Sequence, residues 1–238
     1  DMANTTSSFT AGLVPDGLAL NYTHLTQAEM RKNGIFDQIN ASYADKGLYY
    51  YARTGEGVQY YIYSNKKIDK ADLTGLKLRV APIYRDFLQK QNATVVQMAP
   101  GEVYTALERG VVDGYAWPMI GIFDLGWQEK TKYRLEPGFY AIELGVVFNL
   151  NSWNKLNAQQ KAFLQKQAEW LEAQNVEMGK VDGPADAKKQ ADAGIQVLKL
   201  DDAQSKILLK AAYDGGWEQI IKASPTKGPQ LRALMEPK

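Results

Sequence analysis

The 238-residue sequence contains no cysteine and only one histidine, His24. The absence of cysteine excludes disulfide bonds, thiolate metal sites and a cysteine nucleophile within this chain. One histidine cannot build a multi-histidine metal site. Beside Leu25 it is more typical of a packed or surface residue than of a catalytic base or ligand. We expect neither a catalytic residue nor a cofactor.

The sequence also lacks an excess of one charge and any long apolar run. Its formal net charge is +1, which gives no reason to expect a nucleic acid or an anionic membrane surface as a partner. No apolar run approaches ~18 residues, the length that indicates a helix through a bilayer, so we expect a chain that is not embedded in the membrane. Hydrophobic residues make up 45% and charged residues 23%, which is ordinary for a globular protein.

The segment from Gly75 to Trp117 predicts alternating strands and helices. Leu76, Leu78 and Val80 alternate with charged residues, which is the period of two of a strand. Apolar residues at helical spacing follow, then a β-branched run, a second short helix and a third strand that opens at Val111. This order predicts right-handed crossovers and a parallel sheet, and so an α/β fold class.

Two residues of this segment stand where such sheets bind ligands. Arg79 comes near the end of the first strand and Trp117 at the end of the third, and ligands lie beyond the carboxyl ends of parallel strands. A guanidinium offers a rigid fork of donors that matches a carboxylate and keeps its charge. From position alone, a surface arginine paired with a neighbouring carboxylate explains Arg79 equally well.

Three stretches resemble the solute-binding receptors of TRAP transporters (DctP type), which are tripartite, ATP-independent, periplasmic carriers of organic acids. They are Leu73–Arg79, Gly101–Gly114 and Asn151–Trp153. The second stretch is long and specific, and weaker similarity extends over nearly the whole chain. The resemblance implies a two-lobed, type II-like periplasmic binding protein with parallel-rich sheets, hinge strands and a long lobe-spanning helix. It also implies that Arg79 binds the ligand carboxylate.

The resemblance implies a division into lobes. Residues 1–52 and 141–178 are expected to form a remnant of lobe I, residues 53–140 and 179–222 lobe II, and residues 223–238 a C-terminal tail helix. Family members carry a signal peptide and roughly two strand–helix units before the segment that the first residues resemble. The sequence opens on small polar residues instead of a signal peptide, so we expect a chain that is truncated at its N-terminus.

Two residues match the branch of the family that binds 2-keto and 2-hydroxy acids. That branch has a glutamine at the position of Gln59, where it helps to hold a metal, and a tryptophan at the position of Trp117. Ala116 stands where the branch has a metal-binding glutamate, and the loss of a hard anionic oxygen argues against a metal. Tyr60 stands where many members have an arginine, which argues against a second anionic group there. The resemblance thus favours a monocarboxylate.

Three further side chains are candidates for ligand contact. Glu143 interrupts an apolar run, Phe139 to Leu150, that predicts one long strand. A carboxylate is costly to bury without a partner. Glu143 therefore faces a ligand hydroxyl, pairs with an arginine, or points to solvent. Tyr60 and Tyr84 are expected to wall the pocket together with Trp117.

The helical spacing of apolar residues and the positions of glycine predict further elements. We expect a helix over Phe123–Lys132, a long helix that ends near Gly179, and a separate helix over residues 185–193. A glycine pair at Gly215 is expected to break the following helix.

The resulting prediction is a periplasmic receptor that binds a small organic acid in an interlobe cleft and delivers it to the membrane subunits of a TRAP-type secondary transporter. One alternative is a hydrolase that uses Glu102, Asp113 and Glu143. However, Glu102 opens a helix, where the dipole alone favours a carboxylate, and Asp113 lies in a turn. The sequence also lacks a Gly-x-Ser-x-Gly nucleophile motif. A ligand-sensing receptor subunit is a third possibility.

Overall fold

The computed structural model describes residues 1–236, and these residues divide into two compact units. Unit 1 consists of Asp1–Gly57, Ala141–Lys180 and the chain from Trp217 onward. Unit 2 consists of Val58–Tyr140 and Val181–Gly216. The lobe boundaries predicted from the sequence stay predictions. They differ from the unit boundaries mainly at residues 53–57 and 217–222.

Nine strands occur in the described part of the chain. In chain order they are β1 (Met2–Thr5), β2 (Leu48–Thr54), β3 (Gln59–Ser64), β4 (Lys77–Val80), β5 (Thr94–Gln97), β6 (Gly114–Pro118), β7 (Tyr133–Ala141), β8 (Leu144–Asn149) and β9 (Gln196–Lys199).

The α-helices of the described part range from one turn to 35 residues. In chain order they are α1 (Ser7–Thr10), α2 (Ala19–Tyr22), α3 (Gln27–Lys32), α4 (Ile35–Ala44), α5 (Pro82–Lys90), α6 (Pro100–Glu108), α7 (Leu150–Asn154), α8 (Ala158–Asp192), α9 (Asp202–Ala223) and α10 (Gly228–Met235). Two 3₁₀ helices cover Pro15–Leu18 and Trp127–Lys130.

Unit 1 is built around a three-stranded antiparallel sheet in the order β1-β8-β2. The register of β2 against β8 shifts between Tyr50 and Ala52, which marks a β-bulge at Tyr51. Helix α4 packs against β2, and the rings of Tyr43 and Tyr50 lie 5.0 Å apart in the core. This sheet brings the start of the chain next to a strand that follows far later in the sequence.

Unit 2 contains a six-stranded sheet in the order β5-β4-β6-β3-β7-β9. Strand β4 runs parallel to both β5 and β6, and β7 runs parallel to β9, whereas β3 is antiparallel to β6. Helices α5 and α6 are the crossovers, and Pro82 and Pro100 stand in their first turns, where a missing N–H costs nothing. The strand–helix–strand–helix–strand prediction and the α/β fold class with a parallel-rich sheet are confirmed.

Several element boundaries differ from the sequence predictions. The third strand of this segment begins at Gly114 instead of Val111. The long strand expected over Phe139–Leu150 is two strands, β7 and β8, and Tyr140 has a positive φ of 44° close to the point where they separate. The helix expected over Phe123–Lys132 is wrong, because Gly126 adopts a left-handed conformation and only a 3₁₀ turn follows it.

Two predicted helix ends are also wrong. Helix α8 continues for 35 residues through Pro184 instead of ending near Gly179, so residues 185–193 are not a separate helix. Helix α9 continues through Gly215. A helical glycine costs only about 1 kcal/mol, and the buried apolar residues on both sides of it maintain the helix. These residues are Leu208, Ala212, Trp217 and Ile220.

The predicted C-terminal helix is present from Gly228 to Met235, and residues 237 and 238 of that prediction lie outside the described residues. No helix among residues 1–236 combines the length and the apolar character that crossing a membrane requires.

Candidate functional site

Arg79 lies on β4, which pairs with β5 on one side and β6 on the other, and its side chain is only 3% exposed. Its Nε and Nη2 atoms donate to the backbone oxygen of Met98 at 3.1 and 3.0 Å. Its Nη1 atom donates to the hydroxyl of Tyr84 at 3.0 Å. The alternative of an exposed arginine paired with a carboxylate is therefore wrong, because its hydrogen-bond partners are a carbonyl and a hydroxyl.

These three hydrogen bonds leave two N–H groups of the Arg79 guanidinium unused. A guanidinium carries five N–H groups, one on Nε and two on each terminal nitrogen. The three bonds to Met98 and Tyr84 use one hydrogen on each nitrogen. One N–H remains on Nη1 and one on Nη2, and two such donors match the two oxygens of a carboxylate.

Tyr84, on helix α5, fixes the orientation of the Arg79 side chain. Its hydroxyl accepts from Arg79 and donates to the backbone oxygen of Ala116 at 2.7 Å. Burial raises the pKa of Tyr84, and the nearby Arg79 opposes that rise only in part, so the phenol stays protonated. Tyr84 is 1% exposed and is thus a support of the arginine. Its direct contact with a ligand stays a prediction.

The aromatic side chains proposed for the pocket lie around this arginine. The Arg79 guanidinium carbon is 5.5 Å from the centre of the Trp117 ring, within the range of a cation–π interaction. Trp117 is itself held edge-on against Trp127 at 4.8 Å. The Tyr60 ring packs edge-on against Tyr84 at 5.5 Å. The structure therefore brings Arg79, Tyr84, Trp117 and Tyr60 together.

Gln59 begins β3 and is exposed. The period of two puts Gln59 on the same face of the strand as Tyr61, which pairs with Trp117 on β6. A Cβ added at Gly138 on β7 would lie only 3.0 Å from the Oε1 atom of Gln59. Glycine at this position therefore leaves room for the Gln59 amide. Gln59 and Trp117 thus share one face of the sheet.

Glu143 belongs to unit 1, whereas the other five candidate residues belong to unit 2. It lies between β7 and β8 and is 1% exposed. Its Oε2 atom accepts from the Ser7 backbone N–H at 2.6 Å and its Oε1 atom accepts from the Tyr50 hydroxyl at 2.7 Å. Burial raises the pKa of Glu143, and the bonds from Ser7 and Tyr50 and the charge of Arg53 oppose that rise. The prediction that it points to solvent is wrong.

The two other carboxylates considered for a hydrolase have local structural partners. Glu102 accepts from the Ala99 backbone N–H at 2.8 Å and so caps the start of α6. Asp113 accepts from the Lys77 backbone N–H at 2.9 Å and forms an ion pair with Lys66 at 2.9 Å. Within residues 1–236, no three acidic or histidine side chains gather closely enough to hold a metal ion.

The sequence analysis missed one residue, Arg53 on β2. It is 1% exposed, and its Nε and Nη1 atoms have no hydrogen-bond partner among the described residues. The sequence did contain one indication. Arg53 is a single charged residue directly after the run Leu48–Ala52, whose residues are all aromatic or aliphatic.

Sequence comparison identifies relatives among periplasmic binding proteins. A monocarboxylate 2-oxoacid-binding periplasmic protein of a Nostoc species is 29% identical over 149 residues, which are 60% of this chain and 40% of that protein. The chain therefore spans less than half the length of this curated relative.

Two solved structures share the fold. A TRAP periplasmic solute-binding protein of Marinobacter aquaeolei in an apo open form has a TM-score of 0.86 at 19% identity, over 97% of this chain and 80% of that one. A second, of Desulfovibrio salexigens with bound orotic acid, has a TM-score of 0.86 at 22% identity, over 98% of this chain and 78% of that one. Both structures have the two-lobed periplasmic binding fold, so the fold expected from the resemblance is confirmed.

The sequence model of one family covers nearly all of the chain. Residues 1–221 match the family described as bacterial extracellular solute-binding protein, family 7, or DctP. This match includes every candidate residue discussed above, and the resemblance stated from the sequence is confirmed. The chain belongs to family 7 of the bacterial extracellular solute-binding proteins.

Proposed function

We propose that this protein is a receptor for a small organic acid and that Arg79 binds the carboxylate of that acid. One observation carries the proposal: Arg79 is a buried guanidinium, oriented by Met98 and Tyr84, that keeps one N–H on each terminal nitrogen. A fixed fork loses little conformational entropy on binding, so most of the interaction energy is available for affinity.

The magnitudes agree with a useful affinity. A hydrogen bond to a charged group contributes roughly 1.5–3 kcal/mol, and two such bonds supply a large part of the ~8 kcal/mol that a micromolar dissociation constant represents. The Trp117 ring next to Arg79 supplies apolar surface for the remainder of a small ligand.

The proposed ligand class is a monocarboxylic acid with a 2-keto or 2-hydroxy group. The Nostoc relative, a monocarboxylate 2-oxoacid-binding protein, supports this class, and so does the placement of Gln59 and Trp117 on one face of the sheet. Tyr60 is uncharged and stands where many members of the family have an arginine, so it offers no second cation for a second carboxylate.

The proposed setting is the periplasm, and the proposed partners are the membrane subunits of a TRAP transporter. Family membership supports both, because this family consists of extracellular solute-binding proteins. We propose that the chain is not an enzyme. Glu102 and Asp113 support that view, since each is bound to backbone or to a lysine of its own unit.

A thermal-shift screen tests this function. The purified protein is heated with keto acids, hydroxy acids, unsubstituted fatty acids, dicarboxylates, sugar acids and aromatic acids. Ligand at 100 times its dissociation constant adds ~2.7 kcal/mol of stability, which is readily seen as a shift. We expect a shift with 2-keto or 2-hydroxy monocarboxylates that is lost in Arg79→Ala. If no acid shifts the transition, the proposal is wrong.

A further inference from the structure

Helix α8 exposes three large apolar side chains in the part that belongs to unit 1. Phe163, Trp170 and Met178 are 61%, 59% and 57% exposed. A helix turns by about 100° per residue, so these three lie within about 80° of one another. Ala168 is fully buried in a core cluster with residues of β2, and it lies about 160° from Trp170 around the helix. The three side chains therefore form one stripe on the solvent side of α8, which we call the Trp170 stripe.

Uncharged residues continue the Trp170 stripe along the helix. Gln167 and Gln174 are exposed and stand between the apolar side chains. Together with Phe163 and Trp170 they follow one another at steps of four, three and four residues. This spacing is that of a helix edge that packs lengthwise against another helix. Single exposed apolar residues are ordinary, but an apolar row that contains a tryptophan is typical of an interaction surface.

The charges of this part of α8 are divided between its two halves. Residues 158–168 contain two lysines and no acidic residue, whereas residues 169–180 contain two exposed glutamates, one buried glutamate and one lysine. Lys166 and Glu177 are both exposed. They border the Trp170 stripe on the same side, about 40° and about 20° from Trp170 in one sense of rotation. The stripe is therefore basic at one end and acidic at the other along one border.

An antiparallel second copy of the chain matches this division of charge. A two-fold axis that crosses α8 midway between Lys166 and Glu177 places Lys166 of each copy opposite Glu177 of the other. The opposed helix dipoles favour the same orientation. A parallel copy would instead place each lysine opposite a lysine. Within one copy Glu177 pairs with Lys180, but these side chains are 66% and 65% exposed, and such an ion pair contributes little that a second copy would have to replace.

We propose that unit 1 associates with a second copy of this protein through the Trp170 stripe, with the two α8 helices antiparallel. This inference goes beyond the proposed function and does not rest on it. A symmetric contact of this type closes on itself, so its product is a dimer and not a larger assembly. The exposed side chains of the stripe cover less than the ~800 Å² per partner of a standard interface, so we expect a reversible dimer with a dissociation constant of roughly 10–100 µM.

Sedimentation velocity at about 5–500 µM protein tests the dimer, since this range spans the expected dissociation constant. We expect a monomer at the lowest concentration and mostly dimer at the highest. Trp170→Glu should weaken association at least ~10-fold, because it places a charge in the centre of the apolar stripe. Phe9→Glu is the matched control, since Phe9 is an aromatic residue of unit 1 that is 71% exposed on α1. It should leave association unchanged.

Exchange of the two border charges tests the orientation. Lys166→Glu places two glutamates opposite each other at both ends of the contact, and we expect it to weaken association about 10-fold. Lys166→Glu combined with Glu177→Lys restores opposite charges at both ends and should restore association. Both positions are exposed, so neither change disturbs the core. Urea unfolding checks that the variants keep the stability of the unaltered protein.

Cysteine cross-linking gives a second measure of orientation, because the chain has no cysteine of its own. Lys166 and Glu177 are about 16 Å apart along one helix, beyond the reach of a disulfide bond. Oxidation of a mixture of Lys166→Cys and Glu177→Cys proteins should link the two variants, whereas neither variant alone should form a linked dimer. Asp37→Cys, exposed on α4, is the control and should not link to Glu177→Cys.

Four outcomes would overturn the proposal. One is a protein that stays monomeric at about 500 µM, well above the expected dissociation constant. Another is efficient linkage of Lys166→Cys to itself, which would mean a parallel contact. A dimer equally stable in Trp170→Glu and Phe9→Glu would place the contact elsewhere. A monomer that co-sediments with phosphatidylglycerol vesicles, and loses this property in Trp170→Glu, would assign the stripe to a lipid surface instead of a second copy.

Discussion

The hydroxyl of Tyr84 accepts a hydrogen bond from the Nη1 atom of Arg79 at 3.0 Å, and the same hydroxyl donates to the Ala116 carbonyl at 2.7 Å. The phenol therefore links the guanidinium to the backbone of the neighbouring strand β6. A buried arginine with this support keeps one orientation before a ligand arrives.

Removing Arg79 should have the largest effect on binding. We expect Arg79→Ala to weaken acid affinity by at least ~10²-fold, because two charge-assisted bonds are lost. Arg79→Lys should restore only part of the affinity, since an ammonium keeps the charge but not the planar fork. Calorimetric titration measures both. Arg85→Ala, which changes an exposed arginine of α5, is the control and should leave affinity unchanged.

Removing the Tyr84 hydroxyl should weaken binding through Arg79. We expect Tyr84→Phe to reduce affinity about 10-fold and to lower the free energy of unfolding by about 1 kcal/mol, because one bond to a charged group and one to a carbonyl are lost. Calorimetry and urea unfolding measure the two effects. Tyr104→Phe removes a surface hydroxyl that donates to Glu129, and it should change neither quantity appreciably. Equal affinities in both variants would argue against a positioning role for Tyr84.

The burial of Glu143 predicts a pH dependence of stability. Burial raises its pKa from an ordinary value of 4.5, so the folded protein holds this proton more tightly than the unfolded chain does. The stability that this proton contributes is present below about pH 4.5 and is lost as the pH rises through the raised pKa. Glu143→Gln mimics the protonated group. The difference in unfolding free energy, unaltered protein minus variant, should therefore fall as the pH rises above 4.5.

Urea unfolding at intervals between pH 4 and pH 8 tests this sign. The other buried carboxylates of unit 1, Asp16 and Glu172, are present in both proteins and cancel in the difference. A difference that stays constant over this range would mean that Glu143 titrates as it does in the unfolded chain.

Gly145 should not tolerate a side chain. A Cβ there would lie 2.6 Å from Glu143 Oε1 and 2.6 Å from a ring carbon of Tyr50, far inside normal contact. We expect Gly145→Ala to lower the free energy of unfolding by roughly 1–3 kcal/mol, the usual cost of overpacking a core. Gly12→Ala is the matched control, because a Cβ at Gly12 meets no atom within 4 Å. Equal stability of the two variants would contradict the packing described for unit 1.

Local patterns predicted the part of unit 2 that holds Arg79. Alternation around Leu78 gave β4, and helical spacing gave α5 and α6, because each of these elements follows from residues within its own length. The family motifs then assigned a role to Arg79 that strand periodicity alone left open. No motif or spacing in the sequence indicated that Met98 and Tyr84 hold the Arg79 side chain in place.

The wrong predictions from the sequence came mainly from contacts between residues that are distant in the sequence. Nothing local indicates that the run Phe139–Leu150 divides into two strands at Glu143, because the partners of Glu143, Ser7 and Tyr50, are brought to it by the pairing of β8 with β1 and β2. The bulge that places Arg53 beside them is likewise a property of paired strands. Pro184 and Gly215 are breakers by propensity, yet α8 and α9 continue through them. In α9 the buried residues on both sides of Gly215 outweigh that propensity.

The discontinuity of unit 1 has a consequence for synthesis on the ribosome. The bond from Ser7 to Glu143 joins residues 136 positions apart, and the last segment of the unit begins only at Trp217. Strand β1 therefore emerges long before the strand with which it pairs, and its apolar neighbours stay exposed in the meantime. Unit 1 can therefore be completed only after its last segment, which begins at Trp217, has been translated.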